Sequence, residues 1–117
     1  MRALTLLLNC LLILKKTAHD KRAKLPRTSD YTKSFLKDWV RLTHSDRYDM
    51  TRLKEVMLLL IANDVPLGPE WRDHDLSGDW VDHRECHVGG DFLLIYQAEE
   101  KSINFVRAGT HSELFSS

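Results

Sequence analysis

The sequence lacks three features that would narrow its function at once: paired cysteines, a net charge and a long apolar run. It has only two cysteines, Cys10 and Cys86, and their wide separation matches neither a disulfide framework nor a metal-binding spacing. We therefore expect free thiols and a cytoplasmic protein. The 17 basic and 17 acidic residues cancel, so the overall charge does not identify a partner. A length of 117 residues with 43% hydrophobic content suits one domain with a modest core.

The longest apolar run, residues 3–14, is interrupted by Thr5 and Asn9. A helix needs about 20 residues to cross a bilayer, so this run is too short and no membrane is expected among the partners. Its length suits the core of a signal peptide, but no small-residue cleavage site follows it. We interpret residues 1–22 as an extension, either a mis-called start or a frayed amphipathic segment, with an export or membrane-association signal as the alternative. Residues 23–117 then form the functional domain.

The charges are distributed unevenly along the chain. Residues 1–25 contain six of the 17 basic residues and one of the 17 acidic residues, which leaves 11 basic and 16 acidic residues in the remainder. The remainder is therefore acidic, whereas affinity for nucleic acid depends on basic contacts to phosphate. Any such interface must be a local cluster, and its candidate members are Arg41, Arg47, Arg52, Lys54, Arg84 and Arg107.

Apolar periodicity predicts two helices in the first half of the domain. Residues 31–42 carry four apolar side chains at helical spacing, after a short predicted strand at residues 25–29. Residues 50–61 repeat apolar side chains every three or four positions, which predicts a second helix with its apolar stripe in the core. Turn-forming residues at 63–69 end that helix.

The sequence pattern in the second half of the domain predicts strands. The apolar run at residues 92–96 is short enough to be a central strand, and residues 103–107 return beside it after a turn at residues 99–101. A looser strand is expected upstream, around Trp80.

Ionisable side chains cluster on and beside these two strands. Side chains of equal parity share one face of a strand, so we expect His87 and Asp91 on the same face. The glycine pair between them indicates a bulge or tight bend that changes the direction of the Asp91 side chain. Arg107 lies on the returning strand, and His111 follows it by four residues. If the two strands pair antiparallel, these polar groups meet over one patch.

Such a patch has the groups needed to cleave RNA without a metal. The reaction needs a group that takes the proton of the 2′-hydroxyl, a group that gives a proton to the departing 5′-oxygen, and fixed positive charge near the phosphorus. Imidazole, with an ordinary pKa of about 6.5, suits either proton transfer, whereas guanidinium stays charged and binds two phosphate oxygens at once. We therefore interpret the patch as a site for metal-independent phosphodiester cleavage.

A zinc site is the alternative use of these residues. Cys86 is next to His87, and His74, His83 and His111 would be the further ligands. Because no paired ligand spacing is present, we predict neither a metal nor another cofactor.

Three motifs between residues 73 and 115 resemble the YafQ-type toxins of the RelE superfamily, the mRNA-cleaving partners in bacterial type II toxin–antitoxin modules. The motifs have the patterns D-H-x-L-x-G-x-W, R-x-x-H-V-x-x-D followed by an aromatic residue and L-L-I-Y, and F-x-R-x-G-T-H-x-x-L-F. They are matched here by His74, Leu76, Gly78, Trp80, Arg84, His87, Val88, Asp91, Phe92, Tyr96, Phe105, Arg107, Gly109, Thr110, His111, Leu114 and Phe115. The resemblance extends more weakly back to about Lys24.

The resemblance implies a single α+β domain of the RelE-like, microbial-RNase-type fold, with two N-terminal helices packed on a twisted antiparallel sheet of four or five strands. It implies a ribosome-dependent endoribonuclease that cleaves mRNA and so inhibits translation. Arg107 would stabilise the phosphorane, and Phe115 would pack against a base or sugar. We further expect Arg84 and Phe92 to contact the substrate. The positions that match the family's active site are His74, His87, Asp91, Arg107, His111 and Phe115.

The partners implied by the resemblance are mRNA, the ribosome and a cognate antitoxin. The antitoxin is expected to be a ribbon-helix-helix or similar DNA-binding dimer that forms a heterotetramer with the toxin. Two positions depart from the family pattern, since Gly90 and Phe92 stand where relatives often have proline and tryptophan.

The alternative function is a binding inhibitor on the same scaffold, like the gyrase-poisoning branch of the superfamily, or an inactive relative that retains only its antitoxin-binding surface. A pure binder has no chemical reason to carry three proton-exchanging groups beside a phosphate-binding arginine. The sequence therefore favours the nuclease.

Overall fold

The computed structural model describes residues 25–116, which contain three helices and a five-stranded sheet. The helices are α1 (Lys33–Thr43), α2 (Met50–Ala62) and α3 (His111–Phe115), and the strands are β1 (Thr28–Tyr31), β2 (His74–Asp75), β3 (Arg84–Gly89), β4 (Phe92–Ala98) and β5 (Ser102–Thr110). Two short 3-10 turns, Pro69–Trp71 and Gly78–Trp80, flank β2. The predicted extension at residues 1–22 and the predicted domain start at residue 23 lie outside the described residues.

Side-chain caps determine where the two long helices begin. The side chain of Thr32 accepts a hydrogen bond from the Phe35 backbone N–H at 2.9 Å, and that of Asp49 accepts one from the Arg52 backbone N–H at 3.0 Å. Each bond satisfies a helix-terminal donor that has no partner within the helix. Helix α2 ends at Ala62, and the left-handed backbone of its C-cap residue Asn63 (φ 54°) turns the chain away.

The strands form one mixed sheet in the order β1-β5-β4-β3-β2. The β5–β4, β4–β3 and β3–β2 pairs are antiparallel, whereas β1 is parallel to β5. The predicted α+β class is confirmed, but the expectation of a wholly antiparallel sheet is wrong. Both long helices intervene between β1 and the rest of the sheet, and this long crossover lets β1 join β5 in the same direction.

The two faces of the sheet bury different sets of side chains. One face packs against α1 and α2 and forms the main core, whose largest members include Phe35, Leu53, Met57, Leu94, Tyr96 and Phe105. The other face, called here the site face, carries a smaller cluster of Leu93, Ile95 and Leu114, with Trp80 and Phe115 partly buried against it. Polar side chains occupy the rest of the site face.

Helix α1 lies along the free edge of β5. Strand β1 pairs with β5 only as far as Phe105, so beyond that residue no strand formed by residues 25–116 lies beside β5 on this edge. Asp38 accepts a hydrogen bond from the Ala108 N–H at 3.1 Å, and Arg41 donates one to the Ala108 carbonyl at 3.3 Å. Two helix side chains thereby replace a missing strand, as buried backbone groups require.

The element positions agree in part with the sequence predictions. The turn predicted at residues 99–101 is confirmed between β4 and β5, and α2 covers the predicted second helix. The expectation of a looser strand around Trp80 is wrong. Gly78 has a left-handed backbone (φ 65°) and starts a 3-10 turn that contains Trp80. Helix α3 was not predicted, since its five residues are too few to show a helical period.

The predicted irregularity before the central strand is confirmed, but one residue earlier than expected. The β3–β4 register shifts between His87 and Gly89, which makes Val88 the bulged residue, and Gly90 and Asp91 form the hairpin turn. Asp91 is therefore not on the same strand as His87, and the parity argument does not apply to this pair.

None of the helices within residues 25–116 is long and apolar enough to cross a membrane.

Candidate active site

Two histidines and a buried carboxylate form the centre of the site face. His74 is paired with Glu85 across β2 and β3, and its Nε2 lies 2.9 Å from Glu85 Oε2. The His87 ring centroid lies 6.1 Å from that of His74. Glu85 and His87 are two residues apart on β3, so their side chains lie on the same face of the strand. We call His74, Glu85 and His87 the histidine–glutamate cluster.

Both ring nitrogens of His74 face oxygen atoms. Nδ1 lies 2.8 Å from the Arg72 carbonyl, and Nε2 lies beside the Glu85 carboxylate. Whichever nitrogen carries a hydrogen donates to the oxygen beside it, so both nitrogens are engaged by this part of the chain. Glu85 is only 3% exposed, and within residues 25–116 its second oxygen, Oε1, has no hydrogen-bond partner. The cluster thus contains a proton-exchanging ring beside a buried carboxylate with one unused oxygen.

A network around Arg84 holds the segment that carries His74. The Arg84 guanidinium donates to Asp73 Oδ2 at 2.8 and 3.2 Å and forms a further ion pair with Asp75, so it contacts both neighbours of His74. The Tyr96 hydroxyl also donates to Asp73. The hydrogen bond to Asp73 raises the pKa of Arg84, and burial followed by the same carboxylate raises the pKa of Tyr96. These bonds fix the short strand β2 against β3.

A second group of site residues lies at the start of α3. The His111 backbone N–H donates to Asp91 Oδ1 at 3.1 Å, which ties the β3–β4 turn to this helix. The His111 and Phe115 ring centroids are 4.8 Å apart, and Phe115 meets the edge of Trp80 at 5.9 Å. A capping box between Thr110 and Glu113 starts α3 directly after β5. The result is an aromatic surface beside an exposed histidine.

The sheet register brings the two groups to the same end of the site face. His87 on β3 is paired with Leu93 on β4, and Leu93 is paired with Gly109 on β5. Gly109 is followed closely by His111, which begins α3. Since neighbouring strands lie about 4.8 Å apart, this row places both histidines along one short edge of the sheet.

Arg107 lies at the β5 edge, where α1 covers it. The β4–β5 register shifts at this point, so that Val106 and Arg107 both lie opposite Ile95. Arg107 Nε donates to Asp38 Oδ2 at 2.7 Å, and Nη2 donates to Asp38 Oδ1 at 3.2 Å. The hydrogen bonds to Asp38 raise the pKa of Arg107, so the guanidinium remains charged.

The structure gives the other predicted site residues different environments. Arg84 is occupied by Asp73 and Asp75, so we propose that it holds the His74 segment rather than contacting substrate. Phe92 is 6% exposed and packs in the main core against Tyr48, a position that offers the substrate little surface. That these two residues contact substrate stays a prediction.

The zinc set considered from the sequence does not assemble. Cys86 is fully buried in the main core, on the face opposite His87, and His83 packs against Trp80. A different set is close enough, since the ligand atoms of His74, Glu85 and His87 all lie within 4.8 Å of one another. Two imidazoles and a carboxylate suit a divalent transition metal. The expectation that the protein needs no metal stays a prediction.

Two residues of the site were missed by sequence reasoning. Glu85 has the same strand parity as His87, which was a usable signal for a second polar group on that face. Asp38 occupies a position in the apolar stripe of α1, between the buried residues Phe35 and Leu42. A carboxylate inside such a stripe indicates a buried charge with a partner elsewhere.

Comparisons with known proteins identify the class to which this chain belongs. A family model described as "Bacterial toxin of type II toxin-antitoxin system, YafQ" matches residues 27–116. The chain is 41% identical over 91 residues to the mRNA interferase toxin YafQ of Escherichia coli K12, which covers 78% of this chain and 98% of that protein. The chain therefore belongs to the YafQ family of toxins. This confirms the predicted family, and the relatives' name denotes an endoribonuclease, the predicted class of enzyme.

Solved structures support the same assignment. The toxin in the Escherichia coli DinJ–YafQ complex has a TM-score of 0.69 at 41% identity, covering 77% of this chain and 99% of that one. A structure described as a metal-bound toxin from Helicobacter pylori has a TM-score of 0.67 at 40% identity, covering 76% and 99%. The fold described above is thus the fold of these toxins.

Proposed function

We propose that this toxin is a ribosome-dependent endoribonuclease that cleaves mRNA by metal-independent attack of a ribose 2′-hydroxyl on the adjacent phosphorus. The observation that carries the proposal is the histidine–glutamate cluster, which lies at the same end of the site face as His111. The name of the Escherichia coli relative, mRNA interferase, supports mRNA as the substrate.

The reaction requires two proton transfers. A base removes the 2′-hydroxyl proton, the 2′-oxygen forms a bond to phosphorus, and the bond to the 5′-oxygen breaks as that oxygen receives a proton. The products are a 2′,3′-cyclic phosphate and a 5′-hydroxyl. We assign the two proton transfers to His87 and His111. Both nitrogens of His74 face protein oxygens, so we propose that His74 holds Glu85 and the cluster in place.

Positive charge must balance the oxygens of the phosphorane. Arg107 supplies a permanent charge, and Asp38 engages its Nε and one hydrogen of Nη2. Within residues 25–116, Nη1 of Arg107 donates to no other group that would compete for a phosphate oxygen. Asp91 accepts from the His111 backbone, so we propose that it orients His111 rather than exchanging protons itself.

The aromatic surface at α3 suits a nucleobase. Phe115 and Trp80 are half-buried and meet edge to face, and the exposed ring of His111 lies next to Phe115. Stacking of a base on such a surface contributes roughly 1–3 kcal/mol and tolerates many sequences. We propose that Phe115 packs against a base or sugar next to the cleaved bond, as the family resemblance implies.

The proposed partners are a cognate antitoxin, the ribosome and mRNA, in the cytoplasm. The DinJ–YafQ complex of Escherichia coli supports the antitoxin. We propose that the antitoxin is a dimer of the ribbon-helix-helix or a similar DNA-binding type, that it binds two toxins in a heterotetramer, and that it neutralises the toxin by covering or deforming the site.

The test is to add the purified chain to ribosomes carrying a defined mRNA and to map the ends of the products. Cleavage that depends on the ribosome and leaves 5′-hydroxyl ends supports the proposal. A binding inhibitor would stop translation and leave the message intact, so an inhibited reaction with full-length mRNA would contradict it.

A further inference from the structure

We propose that Asp38 is a positioning residue of this site, which acts through Arg107. The inference rests on the proposed nuclease function and adds to it a residue of α1 that none of the three sequence motifs contains. Asp38 is 4% exposed. Its two oxygens accept hydrogen bonds from Arg107 Nε (2.7 Å), Arg107 Nη2 (3.2 Å), Arg41 Nη2 (3.1 Å) and the Ala108 N–H (3.1 Å).

The negative charge of Asp38 serves the arginines rather than the backbone. The Ala108 N–H could be satisfied by any neutral acceptor, such as an amide oxygen. A buried carboxylate is unfavourable unless its charge is compensated, and here two guanidinium groups compensate it. Arg107 provides two parallel N–H bonds, the arrangement that fixes both the position and the plane of a guanidinium.

Arg107 needs such a contact because of its place in β5. The bulge opposite Ile95 lets Arg107 reach the sheet edge, where α1 is the adjacent element. A long side chain at an edge samples many rotamers unless it is held, and ordering it costs free energy. Asp38 orders the guanidinium before substrate binds, which is the condition for electrostatic stabilisation of a transition state.

A second ion pair connects the same carboxylate to the other end of the site. Arg41 contacts Asp38 and also forms an ion pair with Glu113. The other oxygen of Glu113 accepts from the Thr110 N–H at 2.8 Å, directly before His111. Asp38 is therefore the common anchor for Arg107 and, through Arg41, for the first turn of α3.

The experiment is a double-mutant cycle on single-turnover cleavage of ribosome-bound message by the full chain. Asp38→Asn should lower the rate constant about tenfold or more, since misplacing a reacting group by about 1 Å can cost about 100-fold. In an Arg107→Gln background, assayed over longer times, the same change should alter the rate by less than about threefold, because residues that act as a unit are not additive. The toxin concentration that gives half the maximal single-turnover rate should change by less than about threefold in both backgrounds.

An unchanged rate for Asp38→Asn overturns the inference, and so does an equal loss in both backgrounds. Asp46→Asn, which removes an exposed carboxylate, is the matched control and should keep the parent rate. A parent protein that leaves the message intact, or an Arg107→Gln variant as active as the parent, contradicts the proposed function instead. The two failures are therefore distinguishable.

Solution NMR provides the readout that does not depend on the variant folding. The Nε–H of Arg107 in the parent protein should exchange with water at least about tenfold more slowly than that of the exposed Arg72, because a hydrogen-bonded, partly buried donor is protected. Equal exchange rates would show that the pair with Asp38 does not persist in solution and would overturn the inference.

Discussion

The Nε2 atom of His74 lies 2.9 Å from Oε2 of Glu85, directly across the β2–β3 pair. The other oxygen of this buried carboxylate has no hydrogen-bond partner among the described residues. An unpartnered buried oxygen reduces the free energy of unfolding, and such local violations are typical of functional sites. We infer that the pair is retained for chemistry at the expense of stability.

The first prediction concerns the histidine–glutamate cluster in cells. His87→Ala should relieve growth arrest and lower mRNA cleavage on the order of 100-fold or more, because it removes a proton-exchanging group. Arg107→Ala should act in the same direction through loss of charge at the phosphorane. His44→Ala, which alters an exposed histidine at the end of α1, is the matched control and should remain toxic.

Antitoxin binding separates loss of chemistry from loss of fold. Both variants should still bind the cognate antitoxin. Cells that express either variant at the parent's level should keep their mRNA intact. A His87→Ala or Arg107→Ala protein as toxic as the parent would show that the site assignment is incorrect.

The second prediction follows from the unpaired oxygen of Glu85. Glu85→Gln removes a buried charge, so we expect the free energy of unfolding to stay the same or to rise by about 1 kcal/mol. The cleavage rate should fall about tenfold or more, because His74 loses its charged partner. Urea denaturation and single-turnover assays measure the two effects. Glu55→Gln, at an exposed position of α2, should change neither, and a less stable but fully active Glu85→Gln protein would argue against this role.

The third prediction concerns metal ions. Cleavage of ribosome-bound message should persist in excess chelator, since the proposed proton transfers use only side chains. Added Zn²⁺ should inhibit, because a metal held by His74, Glu85 and His87 would occupy the His87 nitrogen that exchanges protons. Loss of activity in chelator, restored by Zn²⁺, would instead establish a metal-dependent reaction.

The fourth prediction concerns stability in alkali. Burial, followed by the charges of Asp73 and Glu85, raises the pKa of the Cys86 thiol above its ordinary value. Above about pH 8.5 the unfolded chain then binds fewer protons than the folded one, so the free energy of unfolding should fall by up to about 1.4 kcal/mol per pH unit. Tyr96, whose pKa burial also raises, should add to the loss above about pH 10.

Denaturant titrations at a series of pH values test this slope. Cys86→Ala should flatten the fall between about pH 8.5 and 10, whatever its effect on stability at neutral pH, because it removes the titrating thiol. An identical slope in the parent and the variant would mean that Cys86 does not control this range.

The sequence predicted those parts of the fold that depend on local patterns. Helix α2, the central strand β4 and the turn after it follow from apolar periods and turn residues that lie within a few positions of each other. The parallel pairing of β1 with β5 could not be predicted in this way, because Thr28 and its partner Ser102 are brought together only by the crossover through both helices.

The same distinction between local and long-range contacts applies to the candidate site. His74 and His87 lie side by side because β2 and β3 are close in sequence and pair locally, so two neighbouring motifs carried the information that brings these rings together. The partner of Arg107 is 69 residues away, on a helix predicted only as an apolar stripe. Phe92 was expected to contact substrate, yet the bulge at Val88 sets the register in which its ring enters the main core.

Cleavage of a message with one 2′-deoxynucleotide at the cut position tests the central claim most directly. The purified toxin, in excess chelator, should cut the all-ribose message on the ribosome and leave the deoxy-substituted message intact at that position, because the attacking 2′-hydroxyl is missing. Cleavage of both messages at the same bond and at similar rates would contradict the account.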